Sequence, residues 1–299
     1  MTPYLSLIHS NTRDAGNFFN YLRTMAEVVS DYENRFLVLE SYILERHKPE
    51  LYWQFYKEID KPFCLPFNFE LIFMEWSAAE IQQFVDEFQV GLREYDLPIY
   101  ILGNHDQPRF ASKVGSEALR GGALLLLSLP GISIIYNGEG IGMHSADLPL
   151  EYRNDPHNRD GYRTPMQWSG EMNAGFSSGT PWLPVSPDYQ TMNVQSELED
   201  ASSLLNFYHA LISLRKSVVA LHEGKYEAAP HFDNAVSFMR KSSEQTLLII
   251  VNFSDQPIET SLSGSYEVLF STLPYKPTFE GLLEPYEGII LEAQGSIDT

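Results

Sequence analysis

Four short apolar runs, each separated from the next by a stretch of helical spacing, constrain this chain more than any other feature. They are Phe36–Leu39, Leu65–Phe69, Pro98–Leu102 and Ile132–Tyr136. Before the first run, Phe18, Tyr21, Leu22, Met25, Val28 and Val29 fall on one face of a helix. Leu51–Tyr56 reads as helical. Ser77, with Glu80 three residues on, has the pattern of a helix cap. That helix continues through Ile81, Phe84, Val85, Phe88 and Leu92, and another is expected over Ser112–Leu127. Strands alternating with helices predict a parallel sheet. Runs that are apolar throughout predict a sheet covered on both faces.

After Tyr136 the periodicity stops, and residues 137–200 read as one long irregular loop. Loops of that length in a compact protein are usually functional or disordered. Trp168, Trp182, Arg153, Arg159 and Arg163 argue against disorder. A helix follows over Ser203–Ser217, and then the character changes. From Tyr226 on, β-rich runs ("AVSFMRK", "TLLIIVNF", "YEVLF", "GIILE") are separated by turn residues, which predicts an antiparallel all-β unit.

Composition narrows the function. The 299 residues carry 40 acidic against 20 basic side chains, a net charge of −20. Such a surface repels phosphate backbones and anionic lipid, so nucleic acid and membrane are poor partners, whereas a neutral ligand is not penalised. The 43% apolar content supports a sizeable core. A single cysteine, Cys64, excludes an internal disulfide and reads as a small core residue. The start, "MTPYLSLIHSN", lacks the basic and apolar segments of a secretion signal. Ala123–Tyr136, the most apolar stretch, is interrupted by Pro130 and Gly131 and is too short for a membrane span. These points predict a soluble, cytoplasmic protein.

Two of the apolar runs end in carboxylates, at Glu40 and at Asp106 in "LGNHDQPRF". In a parallel barrel all strand C-termini share one rim, so Glu40 and Asp106 are free to face one site despite their separation. A carboxylate pair there suits glycoside cleavage, in which one protonates the leaving oxygen and others stabilise positive charge at the sugar carbon. Other readings stand beside this one. A glutamate just past a strand is commonly a helix cap or a surface residue. Asn104-His105-Asp106 also suits a turn that satisfies its own backbone. A metal ranks lower, because no second histidine or carboxylate lies nearby at ligand spacing, and no metal ligand is assigned.

"LGNHDQPRF" resembles the fourth signature region of the α-amylase superfamily, glycoside hydrolase family 13. "NRDGYRTPMQWSGEMNAGFSSGTPWLPV" and "IIYNGEGIGM" are similar to its α-glucosidase and oligo-1,6-glucosidase branch. "RFLVLESY" resembles the third signature region, and "LLIIVNFSDQPIE" and "LLEPYEGIILE" resemble the C-terminal β-sandwich. The resemblance implies the C-terminal half, strands 5–8, of a TIM (β/α)8 barrel, followed by an antiparallel β-sandwich: an α/β plus all-β fold. Residues 1–220 form the partial catalytic barrel, with its active-site loop at 137–200, and residues 221–299 form the sandwich. It implies catalytic roles for Glu40, the general acid/base, and Asp106, the carboxylate that grips sugar hydroxyls. His105, Arg109 and Arg159 become substrate-binding residues, with Arg163 as an alternative to Arg159. Arg109 also suits ordering of the loop beside them, with a structural ion pair as the competing reading. Trp168, Trp182 and Phe176 offer flat faces to sugar rings, with core packing the competing role for at least one. No cofactor is implied.

The family pattern is not complete. Leu39 replaces the glycine usual before the acid/base, and Gly140 the acidic residue usual after Glu139. The first two signature regions are missing, and with them the aspartate nucleophile of the retaining mechanism. Asp14, in "NTRDAGN", lacks the context of a substitute. Retaining cleavage needs a nucleophile roughly 5 Å from the acid. Four strands also leave two unpaired sheet edges. The expectation is therefore an α-glucosidase-like hydrolase of small α-linked oligosaccharides that is inactive alone. Its partners are the oligosaccharide and either a chain carrying barrel strands 1–4 or a second copy. The alternative is a non-catalytic carbohydrate-binding or interaction protein derived from the family.

Overall fold

The computed structural model describes residues 17–43, 47–59, 64–262, 264–273, 276 and 278–294. Asp14 lies outside the described residues. The chain begins with α1 (Phe18–Ser30), β1 (Leu37–Leu39), α2 (Pro49–Ile59), β2 (Cys64–Asn68), α3 (Glu70–Phe73) and α4 (Ala78–Val90). Then come β3 (Ile99–Ile101), α5 (Phe110–Val114), α6 (Leu119–Ser128) and β4 (Ile132–Ile134). The four strands pair in parallel in the order β1-β2-β3-β4.

Register explains the composition of the strands. Val38, Leu65, Phe67, Ile99, Ile101, Ile132 and Ile134 share one face, and Leu37, Leu39, Cys64, Asn68, Tyr100 and Ser133 the other. Helices cover the second face. Leu39, Cys64 and Tyr100 join one core with Tyr52 and Phe55 of α2, Phe84 and Phe88 of α4, and Leu124 of α6. Burial there pushes the Cys64 thiol up to about 11, so it is inert. The all-apolar face carries only a small cluster of Phe69, Ile72 and Ile101, with Tyr42, Phe67 and Ile134 against it. On that face Leu65, Ile99 and Ile101 are buried, whereas Val38 is exposed and Phe67, Ile132 and Ile134 are half-buried, so the expected burial holds there only in part.

Three local expectations need correction. The helix placed at Ser112–Leu127 is two helices, α5 and α6, broken at Gly115, whose φ of +80° ends the first. Ser77 precedes α4 but its side chain makes no cap bond. On α1, Leu22 and Ala26 are buried, whereas Tyr21, Met25 and Val28, assigned to the same apolar face, are exposed.

The long loop is not structureless. Short 3-10 turns punctuate it at 139–141, 150–152, 160–162, 172–175 and 187–190, and α7 (Val194–Glu199) closes it. Asn193 caps α7 by accepting from the Ser196 amide at 2.9 Å. After α8 (Leu204–Ser217) and α9 (Val219–His222), the β region holds β5 (Lys225–Ala228), β6 (Ala235–Lys241), β7 (Thr246–Asn252) and β8 (Ile258–Glu259). It ends with β9 (Tyr266–Ser271), β10 (Leu282–Leu283) and β11 (Gly288–Ala293). An antiparallel sheet β5-β6-β7-β11-β9 is backed by the two short strands β8 and β10. The second layer is thus much smaller than a full sandwich requires. One face of the large sheet, with Val236, Phe238, Ile249 and Ile290, merges into the main core. The other, with Leu248, Ile250, Ile289 and Leu291, packs under Leu283 of β10.

Candidate active site

The loops leaving β1 and β3 meet. Glu40, His105 and Asp106 each bring one side-chain ligand atom to a common spot, all within 4.8 Å of one another. Asn104 makes the turn that allows it. Its Oδ1 accepts from the Asp106 amide at 3.0 Å, and its Nδ2 donates to Tyr42 Oη at 3.0 Å. The turn reading of this cluster is therefore right, and it leaves room for the site reading: Asn104 satisfies the backbone, and the Asp106 side chain stays available for other work.

Asp106 is the hub. Its Oδ2 accepts from the Tyr42 hydroxyl at 3.1 Å. Its Oδ1 accepts from Arg159 Nη1 at 2.6 Å and Arg163 Nη2 at 3.0 Å, with His105 Nε2 3.3 Å away. Partial burial opposes ionisation of Asp106, but His105, the Tyr42 hydroxyl and the two guanidinium groups outweigh it and hold the carboxyl below its usual range. Tyr42 shifts the other way: burial and the adjacent Asp106 keep its phenol protonated, as a fixed donor. Its ring stacks on Phe69 at 4.5 Å, and Phe69 on Phe67 at 5.2 Å, so an aromatic layer on the sheet supports the rim.

The long loop supplies the arginines. Asp155 accepts from Arg159 Nε at 2.9 Å and Nη2 at 2.6 Å, a bidentate pair that fixes the guanidinium. The Arg159 hydrogen bonds hold Asp155 far below the usual carboxylate range. Arg163 Nε also donates to the His105 carbonyl at 2.9 Å. Sequence offered Arg159 and Arg163 as alternatives; the fold brings both onto Asp106.

Arg109 is a correction. Assigned to substrate, it lies 2% exposed beneath the rim. Its Nη1 donates to the Asn137 carbonyl at 2.5 Å, and its guanidinium sits 5.1 Å from the centre of the Tyr136 ring. The chain turns inward after Pro108, so Arg109 braces loops and does not reach the mouth. Trp168, Phe176 and Trp182 are each about half exposed or more, so core packing is not their role. The metal reading also changes, since the fold brings Glu40 from another strand to His105 and Asp106. Two guanidinium groups already occupy Asp106 Oδ1, however, and their charge disfavours a cation at the same oxygen.

Sequence reasoning missed Tyr42, Asp155 and Glu139. Asp155 was readable, standing four residues before Arg159 at ion-pair spacing. Tyr42 stands two residues after Glu40 with no signal of its own.

The family described as "Alpha amylase, catalytic domain" matches residues 6–224. Oligo-1,6-glucosidase of Parageobacillus thermoglucosidasius is 33% identical over 215 residues, 60% of this chain and 38% of that protein. The oligo-1,6-glucosidase of Heyndrickxia coagulans is 32% identical over 68% of this chain and 44% of its own length. Maltase 1 of Drosophila virilis is 31% identical over 76% of this chain and 41% of its own. The chain thus spans less than half the length of these relatives. The trehalulose synthase of Pseudomonas mesoacidophila superposes with a TM-score of 0.82 at 25% identity, over 94% of this chain and 59% of that one.

Proposed function

This chain belongs to the α-amylase catalytic-domain family, and on that premise we propose α-glucosidase chemistry at the Glu40–Asp106 rim, acting on small α-linked oligosaccharides. Glu40 donates a proton to the glycosidic oxygen as the bond breaks, and later takes one from water. Asp106, fixed by Tyr42, Arg159 and Arg163, accepts from hydroxyls of the same sugar and favours the positive charge that develops at its anomeric carbon. His105 donates to that sugar. The observation that carries the reading is the convergence of Glu40, His105 and Asp106 within 4.8 Å from two different strand ends.

The proposal extends to what completes the site. The four strands take the part of strands 5–8 of the barrel, residues 221–299 cover its helices, and the carboxylate nucleophile comes from a polypeptide carrying strands 1–4. The partly open apolar face, and a β1 edge that pairs with no strand but β2 among the described residues, support this. On that account the chain alone does not hydrolyse p-nitrophenyl α-glucoside.

The test is release of p-nitrophenol by the chain alone and by its mixture with the N-terminal half of a related oligo-1,6-glucosidase. The expected result is activity only in the mixture, abolished by Glu40→Gln. High activity of the chain alone overturns the account of the nucleophile. No activity in mixtures with several such halves, while oligosaccharide still binds, favours a carbohydrate-binding protein instead.

A further inference from the structure

Below the rim lies a buried polar centre that the proposed chemistry does not use. Glu139 opens the 3-10 turn after β4 and is 7% exposed. Its Oε1 accepts from Tyr208 Oη of α8 at 3.1 Å, and its Oε2 faces the Tyr136 amide at 3.4 Å. That oxygen also lies 3.7 Å from where a Cβ on Gly103 would stand, at the root of the Asn104–Asp106 turn. Arg109 shares the layer, and its Nε and Nη2 are buried with no hydrogen-bond partner. The two groups feel each other's charge, yet no hydrogen bond or ion pair joins them, and a buried guanidinium with idle donors near a buried carboxyl is a costly arrangement.

Tyr136 connects this layer to the site. Its amide faces Glu139, its ring faces Arg109, and its hydroxyl donates to the Tyr162 carbonyl at 2.9 Å. Tyr162 sits in the 160–162 turn, between the two arginines that hold Asp106.

We propose that Glu139 is a proton-controlled positioning residue: neutral, it leaves Arg109 on the Tyr136 ring; ionised, it draws Arg109 to itself and moves Tyr136 and the Arg159–Arg163 loop that holds Asp106. The proton goes to solvent, and no covalent bond changes. The titratable and charged groups facing Glu139 are Tyr208 from α8, Tyr136 from its own segment and Arg109 from the loop after β3; Asp106 and Arg163 act on Tyr136 from the rim. Burial pushes the Glu139 carboxyl up to about 7, against the opposing pull of Tyr208, the Tyr136 amide and Arg109. The change therefore falls at neutral pH. Its meaning for catalysis rests on the reading of the rim as a sugar site, but the movement itself does not.

The test follows backbone amides of 15N-tyrosine- and 15N-arginine-labelled chain by NMR from pH 5 to 8.5, with no substrate. The expected result is a step near pH 7 at Tyr136, matched by one of equal midpoint at Arg159, Tyr162 and Arg163. Glu139→Gln is expected to flatten all four. Tyr136→Phe, which keeps Glu139 but removes the hydroxyl bridge and is labelled with 15N-phenylalanine as well so that residue 136 stays visible, is expected to keep the step at residue 136 and lose it at 159–163. This second variant decides the matter if Glu139→Gln does not fold. A step confined to residue 136 in the wild type, no step there at all, or a 159–163 step that survives Tyr136→Phe overturns the proposal. Failure of the glucosidase assay alone leaves it standing.

Discussion

Asp106 shows what one side chain of this site contributes. With two guanidinium groups and a phenol on its two oxygens, its ionised form is the one that the surroundings stabilise. Asp106→Asn keeps the shape and removes the charge. In the complemented enzyme we expect kcat to fall by about 10²–10³-fold with a smaller change in KM, the mark of a group that acts mainly in the transition state. The same depressed pKa sets a pH dependence. A carboxyl held below its ordinary 3.8 contributes stability that is present above that value and is lost as pH falls through the folded-state value. The wild type should thus lose more stability than Asp106→Asn between pH 5 and pH 2.5, measured as the shift in Tm. Glu139 has the opposite sign. Its carboxyl is raised from 4.5 to about 7, so its contribution is full below 4.5 and disappears as pH rises through 7. By pH 8 the loss is on the order of 3 kcal/mol. Glu139→Gln, which mimics the protonated acid, should match the wild type at pH 5 and melt several degrees higher at pH 8. Parallel melting curves at both pH values would count against a raised carboxyl at this position.

Among the elements, α8 ties the two halves of the chain's core. Arg215, near its C-terminus, donates to the carbonyls of Leu127, Leu129 and Gly131, at 3.0 Å and 2.7 Å for the last two. These carbonyls end α6 and lead into β4, and Leu129 is fully buried. Arg215→Ala leaves them without partners and should cost about 2–4 kcal/mol, read as a lower urea midpoint at unchanged m-value. Arg215→Lys should recover only part, because an ammonium group cannot span three carbonyls as a guanidinium does. No pattern in the sequence announces that brace, and the reason is general. Period and turn chemistry are local, so β1 to β4, α4 and α8 could be located from residues 36–217 alone. The break at Gly115 was not, because Ala111, Val114, Ala118 and Leu125 keep helical spacing across it while φ at one glycine ends the helix. In the site, Glu40, His105 and Asp106 were legible because each follows an apolar run. Tyr42 and the inward turn of Arg109 were not, since they depend on which loops meet. The resemblance supplied roles for Glu40 and Asp106; for Arg109 it offered both a substrate-binding place and the ordering of a loop, and packing agrees with the second.

At the scale of the whole molecule one sheet face is only partly covered among the described residues. Leu65, Ile99 and Ile101 on it are buried, but Val38, Phe67, Ile132 and Ile134 are not, and Phe36 beside the β1 edge is 63% exposed. Tyr21, Met25 and Val28 of α1, with Tyr32 beyond its end, form a separate exposed apolar row at helical spacing. Among the described residues the outer edge of β1 pairs with no further strand, and such an edge is a template for one. Val38→Lys tests what this face does. The residue is 38% exposed and belongs to none of the core clusters, so the change should leave Tm within about a degree, as surface substitutions usually do. A charge on the outer strand should oppose both self-pairing and docking of a complementary half. In sedimentation velocity the wild type is expected to form dimers or larger species in a concentration-dependent way, and the variant to shift towards monomer. When the N-terminal half of a related enzyme is added, the variant should regain at most a tenth of the wild-type glucosidase activity, although Glu40 and Asp106 are intact. Association and complementation unchanged by Val38→Lys would place the contact elsewhere on the molecule. Association lost while complementation persists would mean that the β1 edge pairs copies of this chain and that a complementary half joins at β4.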